Sequence, residues 1–150
     1  MKQALLFGAI TLALTTMANA QIKPEDQIRF RQAGYSFMSW NMGKIKANLE
    51  GQFDPKEVEG AANAIAGIAN SHMGALFGPG TDRDIGNVKT RVKPEFFQHK
   101  DEVNKLAKDF ITAANNLSKV AASGDQAAIR QAFGDTGTTC KACHDRFRKE

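Results

Sequence analysis

Apolar residues recur every three or four positions in four stretches of the chain, the spacing that puts them on one face of an α-helix. The first stretch runs Ile28, Tyr35, Met38, Met42, Ile45 and Leu49. Pro24 opens it as an N1 proline, with Glu25 and Asp26 at the positive end of the helix dipole. The second runs Val58, Ala61, Ile65, Ile68, His72 and Leu76. Asp54-Pro55-Lys56-Glu57 opens it as a capping box, and Gly78-Pro79-Gly80 stops it. Residues 78–93 show no period. Pro94-Glu95 then starts a third helix carrying Phe96, His99, Val103, Leu106, Phe110, Ala113, Leu117 and Val120. Gly124 ends it, and Asp125 caps a fourth with Ile129, Ala132, Phe133, Thr136, Cys140, Cys143 and Phe147. Gly134 and Gly137 lie inside that fourth helix, where small residues permit close approach by a neighbouring helix or a flat ligand, or mark a local irregularity. Two short links and one long one predict an all-α, antiparallel four-helix bundle.

Some residues break the pattern. Between Ile28 and Tyr35 the stripe lands on Arg31. An inward arginine needs an anion, since a buried unpaired charge costs several kcal/mol; the alternative is a loosely packed first turn with Arg31 reaching out to water. His72 and His99 fall on stripes and are expected as core or boundary histidines. Trp40, Phe30 and Phe37 lie beside the first stripe, as a wide core face or a contact between two copies.

The N-terminus has its own pattern. Lys2 precedes an apolar run from Ala4 to Leu14, and Ala18-Asn19-Ala20 supplies a small-residue cleavage pattern. Residues 1–20 are therefore expected to be a cleaved secretory signal peptide, too short for a membrane anchor. Residues 21–150 have the size of one domain. Losing Lys2 takes the net charge from +4 to +3. Aromatic residues are not interleaved with a dense basic stripe, so nothing supports nucleic-acid binding.

The chemistry is concentrated in Cys140-Lys141-Ala142-Cys143-His144, a C-x-x-C-H haem-attachment motif that uses both cysteines of the chain. Cys140 and Cys143 would form thioethers to one haem c per chain, and His144 would ligate its iron. At helical spacing i, i+3, i+4 all three share a face. A thioredoxin-like redox pair is expected near a βαβ unit at a helix N-terminus, not six residues before the end of an all-helical chain. Zinc wants two more ligands, and His72 and His99 are not paired in spacing. Covalent capture also suits an exported chain, whose thiols would otherwise oxidise. In a bacterium that compartment is the periplasm.

Taken together, C-x-x-C-H on the last helix, Arg31 on the first, Phe77-Gly78-Pro79-Gly80-Thr81 and Lys93-Pro94-Glu95 resemble cytochrome c′. The resemblance spans essentially the whole chain after residue 20. It departs from the pattern at Phe96-Phe97, where many relatives have Ile-Trp. The resemblance implies a left-handed four-helix bundle, a homodimer through the first two helices, and a five-coordinate high-spin haem with His144 as sole protein ligand. It also implies that Arg31 and Gln32 contact the propionates, Arg148 lies beside His144, Tyr35 covers the other iron face, and Thr90 contacts the haem.

Function turns on the sixth iron position. No methionine follows Cys140, so the arrangement of a simple electron carrier is excluded. Met38 or Met42 could serve instead, though methionines on an inner stripe are more often core. Tyr35 could ligate as in catalase, but a phenol pKa of about 10 favours the neutral form. An open site capped by Tyr35 implies a protein that binds NO or CO. A filled one implies a low-spin electron carrier, with an unidentified redox partner steered by Lys141, Arg146, Arg148 and Lys149. No distal acid–base pair beyond Tyr35 suggests an enzyme.

Overall fold

A computed structural model describes residues 22–150. The expected signal peptide lies outside the described residues. Five α-helices follow: α1 (Pro24–Glu50), α2 (Pro55–Ala69), α3 (Glu95–Gln98), α4 (Lys100–Ala121) and α5 (Gln126–Phe147), with a 3-10 turn at Met73–Leu76. α1, α2, α4 and α5 form the four-helix bundle, and α3 is a single turn ahead of α4. Neighbours in the bundle are α1 with α2, α2 with α4, and α4 with α5; α1 and α5 meet over fewer residues.

The starts fall where the sequence places them. Asp54 accepts from the Lys56 and Glu57 amides at 2.9 and 3.3 Å, and Asp125 from those of Ala127 and Ala128 at 3.0 and 3.1 Å. Each satisfies amides that the first helical turn leaves free. The reciprocal half of the box at Asp54 is not made by Glu57. Asn48 of α1 makes it, accepting from the Asp54 amide (2.8 Å) and donating to Glu57 Oε2 (2.8 Å). A polar residue buried on α1 thus ties the α1–α2 corner together.

The core joins Met38, Ile45 and Leu49 of α1 to Val58, Ala61 and Ile65 of α2, Ala114 and Leu117 of α4, and Ile129 and Ala132 of α5. Met42 packs against it. Alanine on the facing positions lets the helices approach while the larger aliphatic residues interdigitate.

The second and third helices differ from their expected extents. α2 ends at Ala69 rather than running through His72 and Leu76. Asn70 Nδ2 donates to the Ala66 carbonyl (2.7 Å) and Ser71 Oγ to that of Ile68 (2.7 Å), so these side chains compete for the carbonyls that would continue the helix. His72 then turns left-handed at φ 60° and the chain reverses into the 3-10 turn. The third helix breaks at His99 (φ −109°, ψ 53°), which detaches Phe96 from the α4 register. His72 and His99 are exposed, not core or boundary residues. With the helix ended early, His72 falls in the turn, and the break at His99 carries that ring off the α4 stripe. Around Gly134 and Gly137 α5 is continuous, and no neighbouring helix comes within 4 Å of a β-carbon placed at either. Neither close helix packing nor irregularity accounts for them.

Candidate haem site

Cys140, Cys143 and His144 occupy the last two turns of α5. Both cysteines are free and half-buried. Burial pushes both thiols above their ordinary pKa, and each sits at the negative end of a helix dipole. That is the opposite of a redox cysteine, whose thiolate is stabilised at a helix N-terminus. Among the described residues no three His, Cys, Asp or Glu side chains converge as a cation site. The His144 imidazole is held below its ordinary pKa by burial, then by Arg148 and Arg91. It is therefore neutral at neutral pH, the state in which a histidine ligates iron. Two thiols a helical turn apart beside a neutral imidazole are the donor set haem c requires, and the site fits that group.

Arg31 does not reach out to water. It is 2% exposed, and its guanidinium serves a segment far along the chain. Nη1 donates to the Leu76 carbonyl (3.1 Å) and to Thr81 Oγ1 (2.7 Å). Nη2 donates to the Thr81 carbonyl and to Thr90 Oγ1 (2.7 Å). The guanidinium carbon lies 4.6 Å from the centre of the Phe77 ring. Burial lowers the Arg31 pKa, while Tyr35 and Asp82 raise it. The sequence called for an anion beside an inward arginine, whereas neutral oxygens of the 76–90 segment accept these four bonds.

Three neighbours complete the attachment of that segment to α1. Gln27 Oε1 accepts from the Gly78 amide (2.8 Å), and a β-carbon on Gly78 would lie 2.5 Å from that oxygen. A larger residue there would make the end of the Gln27 side chain shift. Gln32 Nε2 donates to the Lys89 carbonyl (2.7 Å). The Thr90 amide donates to Asp84 Oδ1 (2.9 Å), and this contact, with Lys89, holds the Asp84 carboxyl below its ordinary pKa.

Tyr35 stands one turn beyond Arg31 on α1, close enough to the motif for Cys143 and Cys140 to act on its charge. Desolvation comes first, then Cys143, with Arg31 opposing, and together they push its pKa up to about 12. The side chain is 42% exposed. The phenol is neutral at neutral pH even without this shift. Met38 lies in the apolar core and Met42 packs against it.

The end of the chain closes this region. Lys93 and Lys149 donate backbone bonds to the carbonyls of Phe147 (2.9 Å) and Arg91 (2.7 Å), around an antiparallel bridge between Val92 and Arg148. Arg148 Nη1 lies 3.4 Å from His144 Nδ1. Lys141 pairs with Asp145 and Arg146 with Glu102 (3.2 Å), and Lys149 Nζ donates to the Asp82 carbonyl (3.1 Å), so three of the four expected steering cations are engaged within the chain. All the expected site residues except Thr90 lie on α1 or α5, or just after α5; Arg31 draws Thr90 in, and Gln32 of α1 binds the neighbouring Lys89 carbonyl. Sequence reasoning missed Thr81, fully buried, which accepts from Arg31 and donates to the Gly78 carbonyl (2.8 Å). It also missed the packing of Phe77 on Phe96. An unpaired arginine on an inner stripe was the only signal of either.

Comparison with known proteins agrees with this geometry. Residues 26–148 match the family described as Cytochrome C′. The chain is 58% identical over 142 residues to the cytochrome c′ of Allochromatium vinosum, covering 94% of this chain and 92% of that one. It superposes with TM-score 0.86 at 60% identity on a cytochrome c′ described as having an unusual ligand-controlled dimer dissociation, covering 87% of this chain and all of that one. Variants of the cytochrome c prime of Alcaligenes xylosoxidans, near 30% identical over 86% of this chain and 98% of that one with TM-score 0.75, have been solved with nitric oxide and with carbon monoxide. A haem-attachment motif at the end of α5, a helical bundle that superposes throughout, and a family match across nearly all the described residues make this chain a member of the cytochrome c′ family, binding haem c covalently.

Proposed function

We propose that the chain is an exported, periplasmic monohaem cytochrome c′ whose five-coordinate, high-spin iron binds NO and CO and also passes electrons, residues 1–20 being the signal that directs export. The observation that carries this reading is Tyr35, a neutral phenol on α1 near enough to Cys140 and Cys143 for them to act on its charge, while Met38 lies in the core and Met42 packs against it. When bound, haem would supply an iron able to bind small diatomics. The chain's own residues do the rest. Cys140 and Cys143 hold the group and His144 ligates it. Arg148 stands beside His144. Arg31 and Gln32 would meet the propionates, with Thr90 alongside. Tyr35 offers bulk and no charge, so it disfavours anions and leaves room for neutral diatomics. NO and CO binding in the relative from Alcaligenes xylosoxidans supports the same chemistry here.

Absorption spectra of the purified holoprotein test this directly. The ferrous form is expected to be high-spin and to shift on adding CO. A low-spin spectrum unmoved by CO would overturn the gas-binding reading and assign Met38 or Met42 as sixth ligand in an electron carrier.

A second copy of the chain is the partner we assign to α1. Phe30, Phe37 and Trp40 are 56, 48 and 57% exposed on one side of the helix, with Phe37 and Trp40 packed together at 5.3 Å. Rings so exposed on one strip are the composition of an interface core. Trp40→Glu should shift the sedimenting species from dimer to monomer at micromolar concentration; an unshifted dimer would place the interface elsewhere.

A further inference from the structure

Four aromatic rings from separate parts of the chain form a row at the site end of the bundle. Tyr35 of α1 meets Phe77 edge-on, with centroids 6.5 Å apart. Phe77 stacks on Phe96 of α3 at 4.5 Å and 20°. Phe96 meets Phe147 edge-on at 5.8 Å and 83°. Phe147 is the last residue of α5, three positions after His144. The row therefore links the residue near the attachment motif to the helix that carries the motif.

Its parts are not equally well held. Phe147 is 3% exposed, and Arg31 lies against Phe77. Phe96 is only half-buried, and a groove of about 190 Å³ lined by Phe77, Phe96, Phe97 and Val103 runs beside the stack. Phe96 thus depends on its aromatic neighbours rather than on close packing all round. The break at His99 adds to this: Phe96 sits on its own short turn, oriented apart from the α4 stripe. Shortening it would join its volume to the groove and let Phe77 swing away from Tyr35.

We propose that Phe96 is a positioning residue for Tyr35, acting through Phe77: the row fixes where the phenol ring stands and thereby sets how fast a diatomic reaches the iron. This rests on the reading of Tyr35 given above. It assigns a role to Phe96, one of the two residues where the sequence departs from the family pattern.

The test is Phe96→Leu, made alone and together with Tyr35→Ala, in the ferrous holoprotein. CO association is followed by stopped flow. The CO-bound form, which is diamagnetic, is examined by NMR with labelled tyrosine, and the chain's single tyrosine gives one unambiguous ring signal. Phe96→Leu is expected to speed association by about two- to tenfold, the range one aromatic contact supplies. That gain should vanish when Tyr35 is already alanine, and the tyrosine signal should move as the Phe77 ring shifts. An equal gain in both backgrounds, or an unmoved signal, overturns the proposal. Should Tyr35→Ala alone leave the rate unchanged, the gas-gate reading fails, and the tyrosine signal still decides whether Phe96 positions that ring. If Phe96→Leu does not fold, Phe96→Met carries the same expectations.

Discussion

Replacing Arg31 with methionine is expected to destabilise the folded holoprotein by about 3–5 kcal/mol, measured by denaturant unfolding. The stem of the side chain is conserved in this change, so the loss isolates the guanidinium. Removing it strips donors from the carbonyls of Leu76 and Thr81 and from the hydroxyls of Thr81 and Thr90. A buried acceptor left without a donor costs about 1–3 kcal/mol. Thr81 softens the total, because its hydroxyl keeps its own bond to the Gly78 carbonyl. Arg31→Lys should recover only part of the loss, since a single ammonium cannot reach both sides of the fork. A cost below about 1 kcal/mol for Arg31→Met would mean that the 76–90 segment is held by Gln27 and Gln32 instead.

Tyr35→Ala is expected to raise the CO association rate of the ferrous holoprotein by about tenfold or more, the factor that corresponds to about 1.4 kcal/mol of barrier. The argument is steric. A ligand approaching from the α1 side must share space with a ring braced by Phe77, and removing the ring removes that competition. Tyr35→Phe separates bulk from hydroxyl: it should leave the rate within about twofold of the parent, since a neutral phenol and a phenyl ring differ little in volume. Equal rates for parent and Tyr35→Ala in stopped flow would sink the gate, and a large change for Tyr35→Phe would move the effect to the hydroxyl.

Local signals in the sequence read well where the cause is local. Asp54 and Asp125 cap because their own side chains reach amides two and three residues on, and the three-four spacing of Ile45, Leu49, Ile65 and Leu117 follows from helical geometry alone. The C-x-x-C-H motif is local in the same sense. Where a distant partner or a competing side chain decides the outcome, the pattern misleads. Asn70 and Ser71 ended α2 against a stripe that continued apolar to Leu76. Phe96 left the α4 register for a partner on another segment. Arg31 could be recognised as needing an anion, but its neutral partner Thr81 lies fifty residues on, in a stretch with no period. The exposure of His72 and His99 follows from those same two breaks.

The last few residues have a role that their position at the end of the chain conceals. Lys149 and Phe147 are bonded through their backbones to Arg91 and Lys93, so the terminus works as a latch on the turn that leads into α3. Chain ends are usually free to be trimmed or extended. Here, clipping the final residues would release the entry to α3, and with it the Phe96 ring. Because Phe147 and Lys149 directly follow the attachment motif, the latch couples that end of α5 to the turn before α3, and a change in either is felt by the other.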